Sequence, residues 1–372
     1  MIYADNAAIT KLDIDAFEAM KPFLLEEYGN ASQPYSFANS AKRAIKKARE
    51  IIANCIGAFP DEIYFTSGGT ESDNWAIKIA SSDGDILTSS IEHHAILNAC
   101  IAMQKNGKFV DYIPVSKEGI VEIEKLENSI TQKTKLISIM YANNEIGTIQ
   151  PIKKIAEIAH KNNCFFHTDA VQAVGHVQIN VRDLDIDLLS ASAHKFNGPK
   201  GVGFLYVKRG TQISAYLNGG GQENGLRAGT ENVAGIVAMA VALEKNCKYI
   251  NENRKKIKKL EELFINKLKQ SGVEYIRNGS KNHIPGNISV SFREVEGEMI
   301  LHRLDIRKIC ISTGAACDSV NTNVSHVLKA ICVPEEYIKG TIRISLGKDN
   351  TEQEIGVLID ELIKIVSNGY SI

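Results

Sequence analysis

Between residues 15 and 245 the chain alternates short β-branched or apolar runs with stretches of helical periodicity, and this alternation restricts the fold more than any other feature. Such a pattern specifies an α/β architecture, a mostly parallel sheet covered by helices. The candidate strands are EIYFTS, DILTSS, KFVDYIPV, TKLISIMYA, CFFHTDA, DLLSASAH and GFLYVK. Each gives way to a polar or glycine-rich turn, the place where an open α/β sheet gathers ligand-binding groups. Near residue 245 the pattern becomes a lysine-rich helix, NENRKKIKKLEELFINKLKQ, in which Ile257, Leu260, Phe264 and Leu268 recur on one face. NISVSF, KICIST and TIRISLG then read as strands of a smaller sheet, and TEQEIGVLIDELIKIVSNGY as a closing helix with a TEQE start signal. The division expected is a large domain over 15–245 and a smaller α+β domain made of 246–372 with residues 1–14.

Charge excludes some classes of partner. Lys and Arg number 43 against 44 Asp and Glu, a net charge of −1, so no global field draws the chain to nucleic acid or to an anionic membrane. Glutamates interleave the lysines of the helix after 245, which reads as a solvated face. Small molecules and other proteins are the expected partners. The N-terminal MIYADNAAITKLDID has no basic segment followed by a long apolar run, and no stretch nears the roughly 20 apolar residues of a membrane span. The expected location is cytoplasmic. The seven cysteines, Cys55, Cys100, Cys164, Cys247, Cys310, Cys317 and Cys332, are odd in number and form no C-x-x-C pair, which fits neither a disulfide framework nor a zinc site. Most are expected to be buried thiols, and only surroundings could single out a reactive one.

Chemistry concentrates at strand ends. In SASAHKFNGPKG a strand runs to Ser192, followed by His194, Lys195 and a Gly/Pro loop. A lysine there faces the ligand side of the sheet, although a surface lysine beside a turn has the same local pattern. The strand CFFHTDA ends in Asp169, so the two side chains are expected at one edge of the sheet. That pairing is what pyridoxal phosphate requires: an amine to bind its aldehyde, and a carboxylate to keep the pyridine nitrogen protonated so that the ring accepts electrons. Asp169 taken alone reads equally as a strand-end cap. FTSGGTESDNWAI offers a phosphate cradle, a tight turn at Gly68 and Gly69 with Thr70 opening a helix, or else a plain turn with a helix cap. It is not a G-x-G-x-x-G, so a nicotinamide-binding reading has no direct support. His93, in SSIEHHAILN, lies between a strand and a helix, where an imidazole can stack on a flat ring or simply start the helix. Cys317 sits among small residues in KICISTGAACDSVNTNVSHV, a setting suited to an accessible thiol, against the general habit of free cysteines to be buried. Arg343, on the TIRISLG strand, suits a substrate carboxylate or a structural ion pair.

The assembled motifs resemble those of the cysteine desulfurases, the group that includes the NifS and IscS proteins, within the class V aminotransferases and the aspartate-aminotransferase fold (fold type I) of pyridoxal-phosphate enzymes. The resemblance runs from YADNAAIT to RISLG and is carried, in the family's order, by FTSGGTESDN, IEHHAILN, YANNEIGTIQPI, FHTDAVQAVG, SAHKFNGPKGVG, GGGQENGLRAGTEN and STGAACDS. It implies Lys195 as the lysine that binds the cofactor aldehyde, Asp169 as partner of the pyridine nitrogen, and Gln172 as donor to the phenolic oxygen. His93 becomes the stacking imidazole, with a catalytic part, and Asn144 a contact of cofactor and substrate. Gly69, Thr70, Ser192 and His194 are implied to hold the phosphate, completed across a homodimer interface by Thr230. Arg343 is implied to hold the carboxylate of L-cysteine, and Cys317 to take its sulfur as a persulfide for delivery to an acceptor protein, an iron-sulfur scaffold or a thiolation enzyme. A selenocysteine lyase, or another lyase or aminotransferase on the same fold, is the alternative, and the Cys317 loop is the feature that discriminates, since an aminotransferase needs no thiol there. Two departures stand out: Tyr35 occupies the place of a family histidine, and Ile9 replaces a threonine in DNAAIT. The chain also ends soon after its last helix, without the longer tail that some members use to dock a scaffold.

Overall fold

The computed structural model describes residues 1–80, 84–313 and 324–368. Strands follow the apolar runs of the sequence. In chain order they are β1 (Ile2–Tyr3), β2 (Ile63–Thr66), β3 (Asp85–Ser89), β4 (Val110–Ile113), β5 (Thr134–Ser138), β6 (Phe165–Asp169), β7 (Leu188–Ser192), β8 (Gly203–Val207), β9 (Tyr275–Arg277), β10 (Asn287–Phe292), β11 (Ile309–Cys310), β12 (Ser312–Thr313) and β13 (Thr341–Ser345). The seven runs expected to be strands before residue 245 are β2 to β8, and they form one sheet in the order β2-β8-β7-β6-β5-β3-β4. The pairs among β3 to β7 are parallel, whereas β8 is antiparallel to both of its neighbours.

Both faces of this sheet are covered, which is why its strands are apolar almost throughout. Side chains alternate between faces: Ile86, Leu136, Leu188 and Leu205 pack with Trp75 and Ile77 of the helix Gly69–Ala80, while Leu87, Ile137, Leu189 and Phe204 pack on the other side with Met239 and Leu243 of the helix Val233–Lys248. Because β2, β3, β5, β6 and β7 all run the same way, their last residues, Thr66, Ser89, Ser138, Asp169 and Ser192, come to one edge. Each of these last residues is polar, at the point where its strand leaves the apolar sandwich.

A second buried cluster surrounds the antiparallel sheet β12-β13-β10-β9. The helix Ile250–Gln270 contributes Ile257, Leu260, Phe264 and Leu268, the stripe read from the sequence. The last helix, Glu352–Asn368, starts where TEQE indicates: Thr351 Oγ1 accepts the N–H of Glu354 at 3.2 Å and the Glu354 carboxylate accepts the N–H of Thr351 at 3.0 Å, a reciprocal capping arrangement. KICIST departs from its expected place as a single strand of the smaller sheet. The N-terminal segment inserts beside it, with the Ala4 N–H donating to Cys310 O and the Ser345 N–H to Ala4 O. The run therefore forks, β11 pairing with β1 and β12 with β13.

Gly203 marks the closest approach between strand and ligand edge. A Cβ at this position would lie 2.4 Å from Ala191 O and 2.7 Å from Gly68 Cα, both backbone atoms. Gly203→Ala is expected to lower stability by about 1–3 kcal/mol, as overpacking of rigid surroundings does, and to displace the Gly68 turn. Urea unfolding at equilibrium checks the first effect; an unchanged midpoint and slope would contradict it.

Candidate active site

Two of the strand ends, Asp169 and Ser192, line a cavity of about 230 Å³ together with Lys195, His93, Gln172, Asn144 and Arg343 among others. Lys195 ends a single 3₁₀ turn, Ala193–Lys195, that follows β7 directly. Its ammonium donates to the carbonyls of Ala7 at 2.6 Å and Ala8 at 2.9 Å, and Gln172 Nε2 donates to the same Ala7 oxygen at 3.0 Å. The lysine turn is held from behind as well: Thr10 donates through N–H and hydroxyl to His194 O, and His176 Nε2 donates to Lys195 O at 2.8 Å. The N-terminal segment thus runs across the cavity as a strap, anchored where the amine must be presented.

Asp169 is 6% exposed and accepts the Val171 N–H at 2.9 Å. Burial raises its carboxyl to about 6, against the lowering influence of that N–H and of the Lys195 charge. The cost of burying a carboxylate is offset when a cationic group sits beside it, so the position suits a protonated ring nitrogen. His93 caps the helix His94–Lys105, its Nδ1 accepting the Ala95 N–H at 3.1 Å. Burial, then the charges of Lys195 and His94, lower it to about 4. It is a neutral imidazole at working pH, with its cap bond fixing the ring.

At one end, Ser192 Oγ lies 2.9 Å from His194 Nδ1, and both line an adjoining cavity with Gly69 and Thr70. Burial, then the charges of Lys195 and Lys200, also lower His194 to about 4. The N–H groups in the first turn of Gly69–Ala80 have no intrahelical acceptor. A Cβ on Gly69 would lie 2.6 Å from Val171 Cγ2, so a side chain there would fill the cradle. At the other end Arg343 is 3% exposed, with Nη2 donating to Asp5 Oδ1 at 2.7 Å and Nη1 to Asn144 O at 3.1 Å. Its Nε is buried and without a partner among the described residues. An amine, a buried carboxylate, a glycine-opened cradle and an under-used guanidinium fit pyridoxal phosphate and an amino-acid carboxylate in one space.

Lys195, Asp169, His93, Asn144, Gln172, Arg343, Gly69, Thr70, Ser192 and His194 are therefore brought together. Thr230 is not: it is exposed and lines neither cavity of this chain. Cys317 lies outside the described residues. Sequence reasoning missed Asp5, which holds Arg343 in place and stands in the YADNAAIT motif without a role assigned to it. It also missed Asp73, which lines the cavity from the helix Gly69–Ala80, and Glu92 and His167, both completely buried nearby. Polar residues inside helices and strands give no signal of their own; only the register brings them under the site.

A family model described as aminotransferase class-V matches residues 2–358. The chain is 47% identical over 371 residues to the cysteine desulfurase IscS of Dictyoglomus turgidum, covering 98% of this chain and 94% of that protein. It is 47% identical to the cysteine desulfurase IscS of Methanosarcina thermophila, covering 98% and 92%. Among solved structures, a NifS-like protein superposes with a TM-score of 0.93 at 38% identity, covering 98% of this chain and 99% of that one. A structure described as SspA in complex with cysteine gives a TM-score of 0.84 at 35% identity, covering 94% and 100%. With the family model spanning nearly the whole sequence and relatives at close to half identity across it, the chain belongs to the class-V aminotransferase family, among its IscS- and NifS-like cysteine desulfurases.

Proposed function

We propose that the protein is a pyridoxal-phosphate-dependent cysteine desulfurase that converts L-cysteine to L-alanine and takes the sulfur onto Cys317 as a persulfide. The observation that carries this reading is the convergence, in one cavity, of Lys195, buried Asp169 and the guanidinium of Arg343. When bound, pyridoxal phosphate supplies an electron sink for the carbon bearing the proton to be removed. Asp169 would hold the pyridine nitrogen in its protonated form, Gln172 would donate to the phenolic oxygen, and the neutral His93 ring would stack on the pyridine. Gly69, Thr70, Ser192 and His194 would hold the phosphate, with the first helical turn of Gly69–Ala80 directed at the dianion.

Arg343 and Asn144 orient the substrate, the guanidinium taking the carboxylate of cysteine. The Lys195 amine would remove the α-proton and later return a proton to the three-carbon remainder. Cys317, as thiolate, attacks the substrate sulfur: a new S–S bond forms, the C–S bond breaks, and alanine leaves after protonation. We infer further that the working form is a homodimer whose second copy brings Thr230 to the phosphate, a role suited to a residue exposed on its own chain. The sulfur then passes to an acceptor protein, in iron-sulfur cluster assembly or another thiolation pathway. No helix among the described residues is long and apolar enough to cross a membrane, and we place the protein in the cytoplasm. The division into a large domain over 15–245 and a small one over 1–14 and 246–372 belongs to the same proposal.

Cys317→Ala is expected to abolish alanine and sulfide production from L-cysteine while leaving the visible absorption of bound cofactor in place; loss of that absorption would refute the division of labour between Cys317 and Lys195. Arg343→Lys keeps the charge and loses the fork. Its KM for cysteine should rise roughly tenfold or more, the equivalent of one charge-assisted hydrogen bond of about 1.5–3 kcal/mol, with kcat little changed.

Acid sensitivity follows from the shifted groups. His93 and His194, lowered to about 4, favour the folded state above their ordinary value near 6.5, and this contribution is lost as pH falls through 4. Asp169, raised to about 6, acts oppositely: its contribution is present below the ordinary carboxylate range and disappears as pH rises through 6. In cofactor-free protein, His93→Asn keeps a cap-forming side chain and should flatten the fall in stability between pH 6.5 and 4, whereas Asp169→Asn should steepen it. Urea unfolding across that range measures both, and equal slopes in the three proteins would rule out these assignments.

A further inference from the structure

Beneath Asp169 lies a second carboxyl for which the chemistry above has no use. Asp73, on the helix Gly69–Ala80, is 1% exposed and lines the same cavity. The parallel register pairs Asp169 with Ser190 and Ser138 with His167. His167 stands two residues before Asp169 on β6, so both side chains point toward that helix. A row of hydrogen bonds crosses three strands at this level: Ser138 Oγ lies 2.8 Å from His167 Nδ1, and His167 Nε2 lies 3.0 Å from Ser190 Oγ. The Ser190 hydroxyl also stands near Asp73 and favours its ionised form. Burial lowers His167 to about 3, so its ring is neutral. The row can run either way through the neutral ring, from the Ser138 hydroxyl toward Ser190 or from the Ser190 hydroxyl toward Ser138.

The two carboxyls are not equally equipped to be anions. Asp169 accepts a backbone N–H and feels the charge of Lys195. Asp73 has its Oδ1 buried without a partner among the described residues, and the neutral His167 stands near it, with Nε2 at 3.8 Å. The other groups facing it are acidic: Asp169 from β6, and Glu92 from the segment after β3. Glu92 is itself buried and raised to about 8, against the Ser89 hydroxyl and Met140 N–H that donate to its Oε1. An anion at Asp73 would stand unpaired beside another carboxylate, which is the costliest arrangement a buried pair can adopt. Burial and the neighbouring charges of Asp169 and Glu92 accordingly push Asp73 well above the usual carboxylate range, with the Ser190 hydroxyl opposing.

We propose that Asp73 is a positioning residue for the reaction: it keeps the proton of the buried Asp73–Asp169 pair and so confines the negative charge to Asp169, where the pyridine nitrogen requires it. This rests on the desulfurase reading for its purpose, but the protonation itself can be read without substrate or turnover. The test is infrared difference spectroscopy of the full-length protein at neutral pH, with Asp73→Asn, Asp169→Asn and Glu92→Gln variants to assign any protonated carboxyl. Asp73→Asn should remove a protonated-carboxyl band that Asp169→Asn leaves in place. A band that vanishes in Asp169→Asn, or none that Asp73→Asn removes, would overturn the proposal; if Asp73→Asn fails to fold, the band surviving in Asp169→Asn but not attributable to Glu92 decides the matter. The visible absorption of bound cofactor, titrated on the acid side, gives an independent readout. Asp73→Asn should leave its midpoint in place, because one neutral group replaces another. A fall of about one unit or more, the signature of deleting a like charge, would show that Asp73 had been the anion.

Discussion

Everything chemical in this protein depends on parallel strands ending together. Six strands of the large sheet, β2 to β7, share one direction, and polar side chains gather where they emerge from the apolar sandwich. Asp169 and Ser192 are such exits from β6 and β7, adjacent in the sheet, and Lys195 follows one short turn later. No long loop has to be ordered to bring amine and carboxylate into one cavity. The antiparallel β8 contributes by closeness: Gly203 opposes Ser192 on β7 and Thr66 on β2, which draws the Gly68 turn over the same edge.

The second requirement is that the amine be aimed, and there the N-terminal segment is decisive. Its Asp5 pins Arg343, Ala7 and Ala8 accept from Lys195, and Thr10 bonds the backbone of the lysine turn. Ala4 belongs to the buried cluster around the small sheet, so a single short segment ties that sheet to the ligand edge of the large one. The guanidinium and the amine are positioned relative to each other through about half a dozen residues. The strap can do this because its carbonyls at Ala4, Ala7 and Ala8 are committed to Ser345, Gln172 and Lys195.

The large sheet was legible because its signal is local: each run is apolar, bounded by turn residues and of strand length. The same holds for the stripe Ile257, Leu260, Phe264 and Leu268, and for the TEQE cap. The fork in KICIST was not, since nothing within it records that residues from the other end of the chain insert beside it. β1 and β9, at two and three residues, are too short to display a period. Among site residues, Lys195 and Asp169 could be paired because each ends a strand. Asp5, Asp73 and His167 could not, for a polar residue within an element acquires meaning only from the register and packing that surround it. A residue such as Thr230, exposed on one chain, has no local signature of what it meets.

Buried electrostatics unify these observations. Around the cavity, His93, His167, His176 and His194 are all lowered, with burial as the first cause, while Asp73, Glu92 and Asp169 are all raised for the same reason. Desolvation thus drives these histidines and carboxyls toward their neutral forms, and a buried charge persists where a partner is provided. Arg343 has Asp5; Lys195 has two carbonyls and the field of Asp169. Asp169 itself has one N–H and that lysine, and is the least strongly raised of the three carboxyls. A cationic ring nitrogen placed against it would complete its pairing. The site is therefore built so that one carboxyl among three is ready to ionise, and the geometry of its neighbours decides which.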